Sequence, residues 1–506
     1  MSTSSILIIV AIAIYLLGML IIGFAKSKNN SSSEDFYLGG RKMGPLVVAM
    51  SAEASDMSSW LLMGLPGVAF LSGVCDAAWT AIGLAIGTYL NWLLVSRRLR
   101  RYSHKIDAIT IPDFFAKRFH DKKNIIGMAA AAIIIIFFIP YTASGFAACG
   151  KLFNALFDVD YTVAMVVSAV VIVGYTIMGG FGAVCITDLI QSFVMTLALV
   201  VIVVYGISNA GGFSAVIDNA KDLPGYFSMN NTFDAASNVA KPYGLLTIIS
   251  TMAWGLGYFG VPHVLVRFMS IEDEKKLVTS RRIAIVWVTI SMGIALFIGT
   301  IGLALCNNGF MSMLNDPETV IIAISQKISE NGVIAALVAG IIMAGKLAAT
   351  MSTADSQMLS AASSFSQDIL QNGFKIKMSE KAGLIAARLT VISVAIISVF
   401  LARDPNASVF KIVSFAWAGF GGAFGAVVLC ALFWKRCNLA GALSGMIAGG
   451  ITVFAWKYKV RPLGGAWDIY ELLPAFIVSL VLIIVVSLIT KAPDESIVKE
   501  FEAVND

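Results

Sequence analysis

The segment that most constrains this chain is SAEASDMSSWLLMGLPGVAFLSG, residues 51–73. It is long and apolar enough to cross a bilayer, yet its first half carries Glu53, Asp56 and four serines, and Gly64 and Pro66 follow near its middle. Carboxylates are costly in hydrocarbon, so they normally face a protein interior or a watery cavity and serve transport. A helix interrupted at membrane depth frees backbone carbonyls that can bind a cation. We interpret the segment as part of a transport pathway rather than as a packing helix with a water-bridged acid.

The composition places most of the chain in lipid. Of 506 residues, 58% are hydrophobic and 13% are charged, whereas a soluble protein carries about a quarter charged residues. The net charge of +5 does not indicate a nucleic-acid partner, because basic residues of membrane proteins collect in cytoplasmic loops. We therefore expect an all-α integral membrane protein whose partner is the lipid bilayer.

Runs of about 20 apolar residues predict about thirteen transmembrane helices. They cover approximately residues 5–24, 46–72, 76–96, 124–154, 161–179, 184–208, 243–269, 282–306, 332–362, 382–402, 409–434, 438–457 and 471–490. The loops between them are too short to form a separate soluble domain, since domains usually need about 50 residues or more. The prediction is one transmembrane domain over residues 1–506.

Two of the predicted helices share an unusual character. The segments 46–72 and 243–269 are polar and rich in small residues, and they lie five helices apart. Inverted five-helix repeats place interrupted helices at corresponding positions of their two halves. We expect a broken-helix core made of repeats at roughly 46–208 and 243–434. The helices outside these repeats are then peripheral: 5–24, 438–457 and 471–490.

The basic residues predict an orientation. Residues 97–123 form the most basic connection, and the connections 25–45, 270–281, 363–381 and 435–437 fall on the same side of the membrane. The positive-inside rule places this side, with the C-terminus, in the cytoplasm and the N-terminus outside. We expect a multi-pass protein of the cell membrane.

The ninth predicted helix holds a second polar constellation, GKLAATMSTADSQMLSAASS. Ala349, Ser352 and Thr353 are three and four residues apart, so they share one helical face. Two hydroxyls and a free carbonyl are hard, neutral oxygen ligands, which suit sodium better than a transition metal. Serine and threonine also join transmembrane helices through ordinary hydrogen bonds, so this pattern alone leaves both interpretations open.

Six segments resemble the sodium/solute symporter family. They are EDFYLGGRKMGP (34–45), SAEASDMSSWLLMGLPG (51–67), YTIMGGF (175–181), WGLGYFGVPHVLVRFM (254–269), MSTADSQ (351–357) and AWAGFGGAFG (416–425). The likeness runs across essentially all thirteen helices and is strongest to members that carry proline. It implies ten core helices in two inverted repeats, alternating access, and import of proline or a close relative on a sodium gradient. It implies no enzymatic activity and no cofactor, with sodium as the coupling ion.

The resemblance also implies site residues. The sodium site would use the carbonyls of Ala54, Met57 and Ala349 and the hydroxyls of Ser352 and Thr353. Asp56 matches the acid on which coupling depends in the family, and Asp188 matches a second acid near the cation path. The substrate site would draw on Ser58, Ser59, Tyr141, Trp254, Tyr258 and Pro262. An aromatic wall of this kind suits a ring imino acid, and its carboxylate would lie close to the cation.

Lys346 departs from the family pattern, which has an apolar residue there. It lies two turns before Thr353 on the same helical face, and a lysine at mid-membrane is costly unless it is paired or neutral. We predict that Lys346 pairs with Glu53, Asp56 or Asp188, with Glu53 as the natural compensator. Alternatively the amine replaces a cation, which would make transport proton-coupled or independent of sodium.

Other functions stay open at this point. Within the same fold, the substrate could be another amino acid or a small organic acid. A channel would need repeated pore-lining segments or charge rings, and a sensor would need a signalling domain, whereas about sixteen residues follow the last predicted helix. The sequence shows no nucleophile–base set at membrane depth, which disfavours an enzyme. It does not indicate an oligomeric state.

Overall fold

The computed structural model describes residues 3–27 and 32–505. Ten of its helices are long and apolar enough to cross a membrane, and a bent pair makes an eleventh. These helices are Thr3–Lys26 (α1), Val74–Lys105 (α3), Ile125–Phe157 (α4), Tyr161–Asn209, Glu274–Asn307 (α8), Val333–Gly373 (α9), Glu380–Leu401 (α10), Val409–Phe433 (α11), Leu439–Leu463 (α12) and Leu472–Ile489 (α13); the bent pair is Leu245–Phe259 with Pro262–Ser270 (α7).

The helix Tyr161–Asn209 is two crossings. Its 49 residues would form a rod about 73 Å long at the rise of an α-helix, more than twice the thickness of a hydrocarbon core. The helix breaks at Gly180, where φ is 61° and ψ is −170°, a conformation that glycine adopts without steric cost. We name the arms α5 (161–179) and α6 (181–209). The sequence predicted the same two crossings on either side of this glycine.

The polar helix α2 is a further crossing, composed of Pro45–Ser59, Trp60–Gly64 and Leu65–Ser72. It breaks at Ser58, whose φ of 49° and ψ of −170° lie outside the helical region. Such a conformation costs a residue other than glycine about 1–3 kcal/mol and concentrates at functional sites. A wider π-helical turn over Trp60–Gly64 follows. With α5 and α6 counted separately and α2 added, the crossings come to about thirteen, and the all-α membrane fold is confirmed.

The second interrupted helix, α7, differs from a regular helix for most of its length. An α-helical part, Leu245–Met252, tightens into 3-10 turns over Ala253–Phe259. Val261 is extended, and Pro262 begins the second half, Pro262–Ser270. A proline is favoured at this position because its missing N–H would be unpaired there in any case. The two halves meet at 44°.

Shorter elements lie in the connections. The long polar loop after α6 holds a helix, Phe213–Ala220, and an antiparallel hairpin of β1 (Asn231–Asp234) and β2 (Val239–Pro242). The hairpin was not predicted. A short helix, Ile111–Arg118, lies in the basic connection after α3, Val320–Ser329 precedes α9, and Glu495–Asn505 follows α13.

Helix α9 is the centre of the packing. Its most extensive contacts are with the helices α5, α6, α1, α2 and α4. It therefore lies against α2, the helix whose break exposes backbone carbonyls. Helices α12 and α13 pack on each other and against the π-helical turn Gly421–Gly425 of α11. The assignment of repeats and peripheral helices stays a prediction.

Candidate functional site

Near the break of α2, a backbone carbonyl of this helix meets the hydroxyls of α9 in the protein interior. The Ser352 hydroxyl donates a hydrogen bond to the Ala54 carbonyl at 2.8 Å. It also lies 3.2 Å from the Ala349 carbonyl, and the Thr353 hydroxyl lies 3.2 Å from that same carbonyl. Four of the five predicted sodium ligands are therefore grouped. They are buried and provide the neutral oxygens that suit a monovalent cation.

Met57, the fifth predicted ligand, lies at the break of α2. Its carbonyl accepts the N–H of Trp60. The hydroxyl of Ser58, the residue with the unusual backbone, also accepts from this N–H, at 3.0 Å. The Ser59 hydroxyl is buried and has no hydrogen-bond partner among residues 3–27 and 32–505. It is therefore a polar group available to a ligand.

Asp56 is held by two tyrosines. The Tyr258 hydroxyl donates a short hydrogen bond to the Asp56 carboxylate, and the Tyr141 hydroxyl lies 3.4 Å from the Asp56 carbonyl. Asp56, Met57, Tyr141 and Trp254 line one small cavity together with Trp60, Leu84, Val413 and Trp417. The structure thus brings the predicted coupling acid and two predicted substrate residues to one small cavity of about 10 Å³. Four other predicted substrate residues are buried but are not part of this lining: Ser58, Ser59, Tyr258 and Pro262.

An aromatic layer separates this cavity from a large vestibule. The Trp254 ring lies 5.7 Å from Trp60 and 5.5 Å from Phe410, measured between ring centroids. Phe410 lines the vestibule, whose volume is about 1010 Å³, whereas Trp60 and Trp254 line the cavity. Sequence reasoning missed Trp60, Phe410 and Trp417. Trp60 and Trp417 stand inside two of the motifs that carry the family resemblance, and this was the available signal.

The vestibule side of the layer has an ionic anchor. Glu318 accepts the backbone N–H groups of Val409 and Phe410 at 3.2 and 3.1 Å and the Ser408 hydroxyl at 2.9 Å. It therefore caps the first turn of α11, where a carboxylate stabilises the helix dipole. Lys151 bridges Glu318 at 3.0 Å. This anchor was not predicted from the sequence.

A second polar network joins four helices on the other side of α2. Arg267 of α7 donates to Asp188 of α6 at 2.8 Å, to Ser51 of α2 at 2.7 Å and to Ser356 of α9 at 2.6 Å. Ser51 in turn donates to Asp188 at 2.6 Å. The side chains of Arg267 and Asp188 are 1% and 0% exposed. Asp188 is thus near α2 and α9, as expected, but the partner Arg267 was not identified from the sequence.

The predicted pairing of Lys346 is wrong. The Lys346 amine is buried and has no hydrogen-bond partner in the described part of the chain. Glu53 instead accepts from Trp92 at 2.8 Å and from Thr88 at 3.4 Å. Asp56 and Asp188 are engaged by Tyr258 and Arg267.

The physical reason is the direction of helical side chains. They lean towards the N-terminus of their helix, which for Lys346 is the vestibule end of α9. The charged side chains that act electrostatically on its amine are accordingly Lys151, Glu318 and Asp316, and not Glu53 on α2.

Comparisons with known proteins agree with this architecture. The model of the sodium:solute symporter family matches residues 36–449. The osmoregulated proline transporter OpuE of Bacillus subtilis is 40% identical over 490 residues, covering 97% of this chain and 96% of the relative. A sodium/proline symporter of Haemophilus influenzae is 40% identical over 502 residues, covering 98% and 97%. One from Staphylococcus aureus is 38% identical over 504 residues, covering 98% and 95%.

Solved structures share the fold at low identity. A Na+-coupled sialic acid symporter in a substrate-bound, outward-open state superposes with a TM-score of 0.79 at 20% identity, covering 96% of this chain and 99% of that one. Mhp1, a nucleobase-cation-symport-1 family transporter, gives 0.58 at 14% identity, covering 94% and 99%. The overall fold of this chain is therefore one that solved structures already show.

Proposed function

The chain belongs to the sodium:solute symporter family, and we propose that it imports proline, or a closely related imino acid, together with sodium. One observation carries the proposal: the oxygens of α2 and α9 that suit sodium converge near a small cavity with aromatic walls. The names of the relatives, proline transporters at 38–40% identity over nearly the whole chain, support proline as the substrate.

The grouped oxygens suggest how sodium would be held. The carbonyls of Ala54 and Ala349 and the hydroxyls of Ser352 and Thr353 would contribute ligands, and Met57 would add its carbonyl once the Trp60 N–H releases it. Asp56 lies two residues from Ala54, so its negative charge would favour a nearby cation. Sodium binding would tie α2 to α9, because each helix supplies part of one coordination shell.

The cavity has the chemistry of an imino-acid site. Its walls are mostly aromatic and apolar, with the Trp254 indole as one wall and the Tyr141 ring as another. Its volume in this structure is about 10 Å³, so the cavity would have to widen before a five-membered ring could fill it by apolar contact. Its carboxylate would lie near the sodium ion. In this arrangement sodium and proline each raise the affinity for the other.

The orientation belongs to the same proposal. The basic connection 97–123 and the C-terminal helix lie at one end of the crossings, and the vestibule opens at the other. With the basic end in the cytoplasm, the N-terminus and the vestibule face the outside of the cell membrane. The vestibule would then be the route by which proline reaches the aromatic layer.

Radiolabelled proline uptake into proteoliposomes tests the proposal. Uptake should require an inward sodium gradient, and Trp254→Ala should weaken proline binding about tenfold or more. Trp434→Ala serves as the matched control and should leave proline binding unchanged, because Trp434 immediately follows α11 and does not line the cavity. Uptake of a sugar or a carboxylic acid, with no uptake of proline, would contradict proline as the substrate. Proline uptake driven by a proton gradient without sodium would overturn sodium coupling and favour the amine of Lys346 as the coupling group.

A further inference from the structure

A loop outside the predicted core reaches the substrate cavity. Residues 464–471 connect α12 to α13, and Tyr470 of this loop stacks on Trp254 with a centroid distance of 5.1 Å and an interplanar angle of 21°. Trp254 therefore has three aromatic neighbours, of which Tyr470 is the one whose ring stacks nearly parallel to the indole, whereas Trp60 and Phe410 are tilted against it by 35° and 47°. The position of this indole is set partly by a residue from helices that the sequence assigned to the periphery.

Tyr470 also joins two core helices to each other. Its hydroxyl donates to the Ser414 carbonyl of α11 at 2.6 Å, and its backbone N–H donates to the Ser250 hydroxyl in the first half of α7 at 2.6 Å. Burial and the adjacent Glu471 charge hold the pKa of the Tyr470 phenol well above its ordinary value. The phenol is therefore protonated and able to donate.

The loop is held by ion pairs at the end of α12. Glu471, whose side chain is fully buried, pairs with Arg461 at 3.1 Å and with Lys457 at 3.5 Å. Asp468 pairs with the same Arg461 at 2.8 Å. Asp468 precedes Tyr470 in the sequence and Glu471 follows it. The ion pairs of these two acids therefore restrict the backbone that carries the Tyr470 ring. A ring restrained in this way can act as a fixed support for Trp254.

We propose that Tyr470 is a positioning residue that fixes Trp254 and thereby sets the largest imino-acid ring the cavity accepts. The inference rests on the proposed function. Without the Tyr470 ring, Trp254 would lose its stacked neighbour, and the indole could move outward from Trp60. The cavity, which has a volume of about 10 Å³ in this structure and must widen to hold any ring, would then widen further and admit one more methylene group. The loop between α12 and α13 would in this way control substrate selection by a transporter whose core lies elsewhere.

The test compares proline with pipecolate, its six-membered homologue, in proteoliposomes. Tyr470→Ala should raise the apparent affinity for pipecolate relative to proline about tenfold, the usual worth of one methylene in an apolar pocket. Tyr470→Phe keeps the stacked ring and should change the ratio less than about twofold. Tyr458→Ala is the matched control. Tyr458 is an exposed tyrosine near the end of α12, the helix that precedes the loop of Tyr470. Tyr470→Leu, which keeps more apolar volume, replaces Tyr470→Ala if the latter does not fold.

Each outcome has a distinct meaning. A wild-type protein that transports proline, with a ratio unchanged in Tyr470→Ala or Tyr470→Leu, overturns the role of Tyr470 and leaves the proposed function intact. A raised ratio in Tyr470→Phe as large as in Tyr470→Ala also overturns it, because the stacked ring would then be irrelevant. A wild-type protein that transports neither imino acid overturns the proposed function itself.

Discussion

The buried pair of Arg267 and Asp188 should be strongly coupled in stability. Both side chains are at most 1% exposed, and they are 2.8 Å apart. Removing one partner of a buried ion pair costs about 3–5 kcal/mol, because the other charge stays buried without compensation. Asp188→Asn preserves the shape of the side chain and its contact with Ser51, so its cost should arise from the lost charge. Arg267→Met should cost a similar amount, because it leaves Asp188 uncompensated.

The double variant separates a pair from two independent residues. Arg267→Met with Asp188→Leu removes both charges, and Asp188→Leu is also measured alone, so that the cycle uses the same two substitutions throughout. Replacing a buried pair by apolar side chains is often nearly neutral. We therefore expect the double variant to cost no more than either single one. The coupling energy from the cycle should be about 3 kcal/mol, at the upper end for residues in direct contact.

Reversible unfolding of the purified protein in mixed micelles, followed by tryptophan fluorescence, measures these free energies. Arg282→Met is the control: Arg282 is exposed, and its substitution should change the free energy of unfolding by less than about 0.5 kcal/mol. Single variants that cost less than about 1 kcal/mol, or costs that simply add in the double variant, would refute the reasoning, because the network would then not hold two charges in a low-dielectric interior.

Three further predictions concern other parts of the site. Thr353→Ala should lower the apparent sodium affinity of proline uptake about tenfold. Thr350→Ala should not, because the hydroxyl that it removes from the same helix is bonded to the Lys346 carbonyl and not to the predicted sodium ligands. Lys346→Met should raise the free energy of unfolding by about 2 kcal/mol. Its effect should add to that of Glu53→Gln within about 0.5 kcal/mol. A larger coupling energy would indicate that Lys346 and Glu53 interact after all. Glu318→Gln should lower the free energy of unfolding by about 1–2 kcal/mol through loss of the cap on α11, and an unchanged value would show that Lys151 and solvent compensate.

Membrane crossings were predictable because their cause is local. A run of apolar residues must satisfy its backbone hydrogen bonds internally in lipid, so length and hydropathy are enough to place a helix. The break of α2 at Ser58 was predictable in part for the same reason, since small residues, a proline and two acids stood within one crossing. The residue at which the backbone leaves the helix was not, because several neighbours carry the same local preferences.

The environment of Lys346 was not predictable, because it depends on direction rather than on spacing. Helical spacing placed Lys346 on the face of Ala349 and Thr353, and acids were available on α2 and α6. Spacing does not say towards which end of the helix a long side chain leans, nor which acids already have partners. Trp92 and Thr88 donate hydrogen bonds to Glu53. Both residues belong to α3, a helix whose sequence gave no indication of a functional role.

Family membership, the membrane fold and the residues grouped around Ala54 and Ser352 were thus available from the sequence, because local pattern and long motifs carry them. Tertiary structure alone decided which side chains meet across helices: Arg267 with Asp188, Glu318 with the first turn of α11, and Tyr470 with Trp254. These contacts join residues of separate elements that lie at least 79 positions apart in the chain. No local preference encodes such distances, since they follow from how whole helices pack and from the few partners that can satisfy a buried charge.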